Sequence, residues 1–276
     1  MIRKHRILEF ELYLREKERT QSTIRKYVAT IYDLQKFIGN RRFSKILLLD
    51  YVDYLKTYCK ARTINSKISA INSFMKFLKN ESMILNYLRV QKHSFIEPDR
   101  ELSEVEYRKL LEKAKFHRKD WLYYLILTLA GTGIRIGELK YITVEAVRNG
   151  FAEVSLKKKN RKILIPKELR RRLLMYARQS KITKGLIFRT RKGTPLDRSN
   201  ICRYMKEICS ESGVSSKKVF PHNFRHLFAR RFYSIENDLS HLADILGHTS
   251  IETTRIYVAT SVEAYEDVID KMQLIS

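Results

Sequence analysis

The chain has 276 residues, 44% of them hydrophobic, and a formal net charge of +25 from 55 Lys and Arg against 30 Asp and Glu. That much apolar material excludes a disordered basic tail, and the length favours two domains. The charge is cationic in both parts, +11 over residues 1–98 and +14 over the rest, which suits a protein gripping a polyanion from two sides.

In chain order, the N-terminus "MIRKHRILEFELYLREKER" is broken by charges too often for a signal peptide, and no apolar run is long enough to span a membrane. Nucleic acid is therefore the expected partner, with no membrane. "ILEFELYLREKE" is amphipathic. "TQSTIRKYVATIYDLQKFIG" carries Ile24, Tyr27, Val28, Ile31, Leu34 and Ile38 at helical spacing and stops at Gly39. "SKILLLDYVDYLKTYC" opens on a Ser cap, and "ARTINSKISAINSFMKFLKNE" sets Ile64, Ile68, Ile71, Met75 and Leu78 on one stripe. Four such helices predict a compact bundle over residues 1–90. Ser22, Thr23, Arg25 and Lys26 crowd one helix start, and Arg62, Thr63, Asn65 and Lys67 another. Basic and hydroxyl groups there suit phosphate contacts, although each alone fits an ordinary solvated face.

Periodicity weakens near Pro98, which predicts a linker over 91–102 and a second domain over 103–276. That domain opens with Ser103 and Glu106 as a capping box. "DWLYYLILTLAGTGIRIGEL" reads as a buried helix breaking at Gly131-Thr132-Gly133. "FAEVSLKKKNRKILIP" reads as two short strands around a cationic turn. A turn and a helix follow in "GLIFRTRKGTPLDRSNICRYMKEIC", and another helix starts at Pro221. "LSHLADIL" is a packed helix ending at Gly247, where a C-cap favours positive φ. Thr249 and Glu252 form a capping box for the next helix. On it Ile251 and Val258 share a face and Tyr257 is turned about 100° away, so the Tyr need not be core. "SVEAYEDVIDKMQLI" is amphipathic, with a C-terminal helix expected over 262–276. With few Gly and Pro the fold class is mainly α with one small β-hairpin. Cys59, Cys202 and Cys209, odd in number and without CxxC spacing, read as reduced thiols in a cytoplasmic protein.

Several residues carry chemistry. His222 and His226 are spaced i, i+4, but no Glu base or Cys accompanies them, so a metal site is not expected. His222 and Arg225 share a face, joining a titrating group to a permanent cation, the pair a phosphodiester under attack requires. Arg135 in an apolar segment needs a partner, and Glu138 three residues on can pair it, orient it toward a phosphate, or both. The run "LKKKNRK" is either a solvated loop or a source of a Lys that protonates a leaving oxygen. With no carboxylate cluster for metals, these cations can neutralise charge in phosphoryl transfer, and a Tyr is an acceptable covalent nucleophile. Tyr257 is then the candidate attacking group and His248 a phosphate ligand beside it.

"GTGIRIGEL", the Lys-rich hairpin, "PHNFRHLFA" and "LADILGHTSIETTRIYV" resemble, in order and spacing, the catalytic motifs of tyrosine recombinases, the phage integrases and Xer-type enzymes. The N-terminal bundle is similar to the family's SAM-like core-binding domain, and the remainder to its α+β catalytic domain. The resemblance implies Arg135 and Arg225 as phosphate ligands, His222 as proton acceptor or hydrogen-bond partner, and His248 on a nonbridging oxygen. It implies a 3′-phosphotyrosyl bond to Tyr257 and the hairpin Lys as general acid. Counting back from Pro166 selects Lys158 within the run 157–159, and the Gly usually beside that Lys is absent. It also implies double-stranded DNA recombination sites as substrate, a homo-tetramer on DNA working through a Holliday junction, no metal or nucleotide cofactor, and accessory DNA-bending proteins in some systems. Arg25, Lys26, Arg62 and Lys67 are the candidate DNA contacts of the first domain, and the C-terminal helix is expected to pack on a neighbouring protomer. The stretch before residue 20 leaves no room for a further arm-site domain, so a minimal two-domain form is expected. Other classes consistent with these residues are a type IB topoisomerase, a catalytically silent DNA-binding protein and, least, a metal-dependent nuclease.

Overall fold

The computed structural model describes residues 2–90, 100–117, 119–156, 159–247 and 251–258. The chain divides into two compact units, Met1–Lys92 and His93–Ser276.

The first unit is built from α1 (Lys4–Glu16), α2 (Gln21–Ile38), α3 (Lys45–Lys56) and α4 (Ala61–Phe77). Their starts and stops follow local chemistry. Thr20 Oγ1 accepts from the Thr23 N–H and Ser44 Oγ from the Leu47 N–H, satisfying donors that a helix start leaves open. α2 stops at Gly39, whose φ is +57°. The apolar stripes meet in one core around Phe10, Ile31, Leu34, Leu48, Ile68 and Phe74. Two asparagines on α4 then bind the following extended segment as a strand would. Asn72 donates to the Leu85 carbonyl and accepts from its N–H at 2.8 and 2.9 Å, and Asn65 does the same for Leu88 at 2.8 Å each. Asn65, read as a possible groove residue, is therefore engaged inside its own unit.

The second unit contains α5 (Glu104–Phe116), α6 (Asp120–Thr132), a 3₁₀ segment (Ile136–Tyr141), α7 (Val144–Asn149), β1 (Phe151–Leu156), β2 (Lys159–Leu164), α8 (Lys167–Gln179), α9 (Arg198–Ser212), α10 (Pro221–Glu236), α11 (Leu239–Leu246) and α12 (Ile251–Val258). The predicted capping box of Ser103 and Glu106 opens α5. The expected break at residues 131–133 falls at its end, for α6 runs through Gly131 and Thr132 and stops at Gly133, φ +59°. Thr128 and Thr132 donate back to the carbonyls of Tyr124 and Thr128, so their hydroxyls are satisfied in an apolar helix. A Cβ on Gly133 would stand 2.5 Å from Phe228 Cδ1, so glycine lets α6 end against α10. After it the chain resumes as the 3₁₀ segment. β1 and β2 form the predicted antiparallel hairpin, in register from Phe151↔Leu164 to Leu156↔Lys159. α7 and α8 had no counterpart in the sequence reading.

Residues 91–99 and 262–276, where the linker and C-terminal helix are expected, lie outside the described residues, and so does Thr249. Residues 100–102 already belong to the second unit. Asn223 on α10 donates to the Arg100 carbonyl, Arg230 donates to the Leu102 carbonyl and pairs with Glu101, and Leu102 is buried. Among the described residues no helix is long and apolar enough to cross a membrane. All three cysteines are free thiols, and burial pushes the pKa of Cys209 up to about 11.

Candidate active site

α10 sets the frame. Pro221 occupies its first turn, where a missing N–H costs nothing, and His222, Arg225 and His226 follow on one face. Arg225 is 1% exposed, an expensive place for a cation unless its donors are used. Its Nη1 donates to the Gly133 carbonyl at 2.6 Å and its Nη2 to the Leu246 carbonyl at 2.7 Å. These carbonyls sit at the ends of α6 and α11, where unpaired acceptors and the helix dipole concentrate negative charge. Burial, then the nearby Arg135, draw the Arg225 pKa down to about 10, which still leaves it cationic at neutral pH.

Arg135 follows the end of α6. Its N–H donates to Glu138 Oε2 at 2.8 Å, its Nη1 to Glu138 Oε1 at 3.2 Å, and its Nη2 to the Gly247 carbonyl at 3.4 Å. Its side chain is 42% exposed while that of Glu138 is 3% exposed. The carboxylate is thus buried support, and the guanidinium keeps a face open to an anion. Glu138 also pairs with Arg161 of β2, whose other terminal nitrogen, Nη1, donates to the Ile245 carbonyl at 3.0 Å. Sequence reasoning passed over Arg161, because it lies within a charge run that resembles a solvated loop.

Tyr257 corrects the expected facing of α12. It is 5% exposed, Thr254 one turn before it is fully buried, and Ile251 is 49% exposed. The buried face is the one carrying Thr254 and Tyr257, because α12 packs on α10 and α11. The Tyr257 ring lies on His226, centroids 4.4 Å apart and planes 31° from parallel, and its Oη is 3.3 Å from His222 Nε2. The Arg225 guanidinium carbon is 5.7 Å from the Tyr257 ring centroid. Partial desolvation, then Arg225, Arg135 and Arg198, lower the His222 pKa, so the imidazole is neutral at pH 7 and able to accept a proton. His226, deeper in the stack, is pushed down to about 3, first by burial and then by its cationic and imidazole neighbours.

Arg135, His222, Arg225 and Tyr257 therefore converge, with Glu138 beneath Arg135. Lys158 and His248 lie outside the described residues. In the first unit Arg25, Lys26 and Arg62 are exposed. Lys67 is bound to Asp33 at 2.9 Å. Among the described residues no group of three or more His, Cys, Asp or Glu side chains is placed to share a metal ion.

A buried Tyr257 within hydrogen-bond reach of an exposed His222 and flanked by two arginines has the groups that phosphoryl transfer of the covalent type needs. The phage integrase family profile matches residues 100–264, and the phage integrase N-terminal SAM-like domain profile matches residues 7–82. Tyrosine recombinase XerA of Pyrococcus furiosus is 28% identical over 279 residues, covering 97% of this chain and 93% of that protein. Tyrosine recombinase XerC of Bacillus subtilis is 29% identical over 272 residues, covering 90% and 89%. A lambda integrase tetramer bound to a Holliday junction shares the fold, with a TM-score of 0.72 and 20% identity over 92% of this chain and 76% of that one. The chain belongs to the phage integrase family. Its activity is that of a tyrosine-type site-specific recombinase, an enzyme that breaks and rejoins DNA strands.

Proposed function

We propose that Tyr257 is the nucleophile of this recombinase and that Arg135, His222 and Arg225 are its partners at the scissile phosphate. The observation that carries the reading is the 3.3 Å approach of Tyr257 Oη to a neutral His222 imidazole beside two guanidinium groups. In the first step the Tyr257 oxygen bonds to phosphorus and the bond from phosphorus to the 5′ oxygen breaks. His222 takes or shares the phenolic proton, and Lys158 protonates the departing 5′ oxygen. Arg135, Arg225 and His248 neutralise the nonbridging oxygens, where charge builds up in the transition state. The 3′-phosphotyrosyl bond conserves the energy of the diester, so a 5′-hydroxyl from another strand can reverse the step without a nucleotide cofactor.

The first unit also contacts the duplex through Arg25, Lys26 and Arg62, and more weakly through Lys67. The strongly basic character of both parts of the chain supports DNA contacts by each. Four copies act together on paired sites through a Holliday junction, with residues 262–276 packing on a neighbour; the lambda integrase tetramer supports this by shared fold. Reduced cysteines and a DNA substrate fit work on the nucleoid in the cytoplasm.

The test incubates the protein, in EDTA, with nicked duplexes tiled across the DNA flanking its gene, beside Tyr257→Phe. An SDS-resistant protein–DNA adduct that is lost in Tyr257→Phe is the expected result. An adduct that persists in the variant assigns the nucleophile elsewhere. Strong binding to these duplexes with no adduct means that the target site lies elsewhere or that an accessory protein is missing, and brings a silent DNA-binding protein back into consideration.

A further inference from the structure

A helix end leaves its last carbonyls without intrahelical donors, and at the end of α11 every one of them has a partner. The Gly247 N–H serves Ala243 and Asp244. The next three carbonyls, of Ile245, Leu246 and Gly247, each accept from a different guanidinium, those of Arg161, Arg225 and Arg135. Two of these three arginines are bound to the same buried carboxylate, Glu138. Arg161 is the member that comes from the hairpin. Both of its terminal nitrogens are engaged, one on the Ile245 carbonyl and one on Glu138, and its side chain is only 16% exposed. It is more enclosed than Arg135, whose side chain is 42% exposed, and two of its donors are already committed to neighbouring elements.

A second observation ties Arg161 to this place. Gly247 has φ +63°, and a Cβ there would stand 2.4 Å from Arg161 Cδ and 2.9 Å from its Nη1. The turn after α11 and the arginine stem occupy adjoining volumes, so each restricts where the other can go.

We propose that Arg161 is a positioning residue of the recombination site. It holds one oxygen of Glu138 so that the carboxylate aims the Arg135 guanidinium at the scissile phosphate, and it fixes the end of α11 against β2. A planar guanidinium fork is required because the two acceptors, a carboxylate and a carbonyl, lie on different elements; a lysine ammonium on a flexible stem cannot hold both in register. The proposal rests on Arg135 being a phosphate ligand.

The experiment measures single-turnover strand cleavage on nicked duplexes selected by binding to the protein from a randomised pool. Each is made with either the natural phosphodiester or an uncharged methylphosphonate at the cleaved position. A methylphosphonate carries less charge for Arg135 to neutralise, so a defect that acts through Arg135 shrinks on it, whereas general damage to the fold lowers cleavage of both substrates alike. The full-length proteins are wild type, Arg161→Gln, Arg161→Lys, Arg135→Ala and Tyr257→Phe. Arg161→Gln should cleave the diester about 10- to 100-fold more slowly, the range that a small misplacement of a charged group produces. Its duplex affinity should be unchanged, and its defect should shrink on the methylphosphonate in parallel with that of Arg135→Ala. Arg161→Lys, which keeps the charge and most of the stem, guards against misfolding and should still be slow on the diester. Wild-type rates in both Arg161 variants overturn the proposal. So do equal defects on the two substrates while Arg135→Ala is relieved. If Arg135→Ala is not relieved, the phosphate assignment of Arg135 falls and takes the proposal with it. Cleavage by Tyr257→Phe instead refutes the nucleophile.

Discussion

Replacing Gly247 by alanine tests how firmly Arg161 is held, and Gly213 is its internal control. Both glycines end helices in the left-handed region, Gly247 after α11 at φ +63° and Gly213 after α9 at φ +67°. An L side chain in that region costs about 1–2 kcal/mol. The gain from a stiffer unfolded chain is common to both changes and cancels in the comparison. At Gly213 a new Cβ meets nothing within 4 Å, whereas at Gly247 it would stand 2.4 Å from Arg161 Cδ. That arginine is tethered at its far end to Glu138 and Ile245, so it cannot swing aside without breaking a buried pair. Forcing an extra carbon into an occupied volume costs about 1–3 kcal/mol more. Gly213→Ala should therefore lose about 1–2 kcal/mol, and Gly247→Ala about 2–5 kcal/mol. In calorimetric melting of the full chain the second should unfold about 2–12 °C below the first, for a unit of this size. A Gly247→Ala/Arg161→Ala double variant should be less damaged than the sum of its parts, because the clash is gone. Equal melting of the two glycine variants, together with additive behaviour in the double variant, would refute the tight hold on Arg161.

Acid should weaken the second unit through its histidines. The unfolded His226 imidazole takes up a proton as pH falls through about 6.5, while the folded one refuses it until about 3. Stability is thus full above about pH 6.5 and is lost between there and about 3, at about 1.4 kcal/mol per pH unit. The lowered pKa of His222 acts in the same direction. Urea midpoints between pH 7 and 4 should follow this slope, and His226→Phe should flatten it. Glu138→Gln removes the carboxylate shared by Arg135 and Arg161, and should cost about 3 kcal/mol in calorimetric melting, as when one partner of a buried ion pair is deleted; a loss below about 1 kcal/mol would mean the arginines find other acceptors. In anisotropy titrations across salt, Arg25→Ala, Lys26→Ala and Arg62→Ala should each reduce the slope of log affinity against log salt by about 1. Lys67→Ala should reduce it less, because Asp33 already holds that ammonium. An equal reduction would mean that DNA draws Lys67 away from Asp33.

What could be read from the sequence was what depends on neighbours along the chain. The α2 stripe, the Ser103–Glu106 box, the stops at Gly39 and Gly247, and the existence of the hairpin all come from interactions across a few residues. His222 and Arg225 were legible for the same reason, as they share one helical turn. α8 escaped because Arg170, Arg171 and Arg172 interrupt its stripe, although Leu169, Leu173, Tyr176 and Ala177 are buried at i, i+4, i+7 and i+8. Tyr257 reads as free to lie outside the core because no local stripe includes it, and only packing on α10 and α11 buries it with Thr254. The stack of Tyr257 on His226 spans two helices, and no spacing rule within either one reports it. Arg161 was the hardest to see, since its carbonyl partner is 84 residues away and its carboxylate partner 23.

The crossing of three arginines at the end of α11 has a consequence for the cell as well as for the chemistry. At the end of α11, Arg135 reaches across 112 residues to Gly247 and Arg161 across 84 to Ile245, while Arg225, 21 residues from Leu246, also reaches across 92 to Gly133 at the end of α6. Contacts of such long range close late, after the loops between them have been organised. A chain whose second unit is not yet folded lacks these contacts even where its tyrosine is in place. The capacity to cut DNA is thereby tied to completion of the fold, and an enzyme that breaks DNA strands stays inert until its distant segments have met.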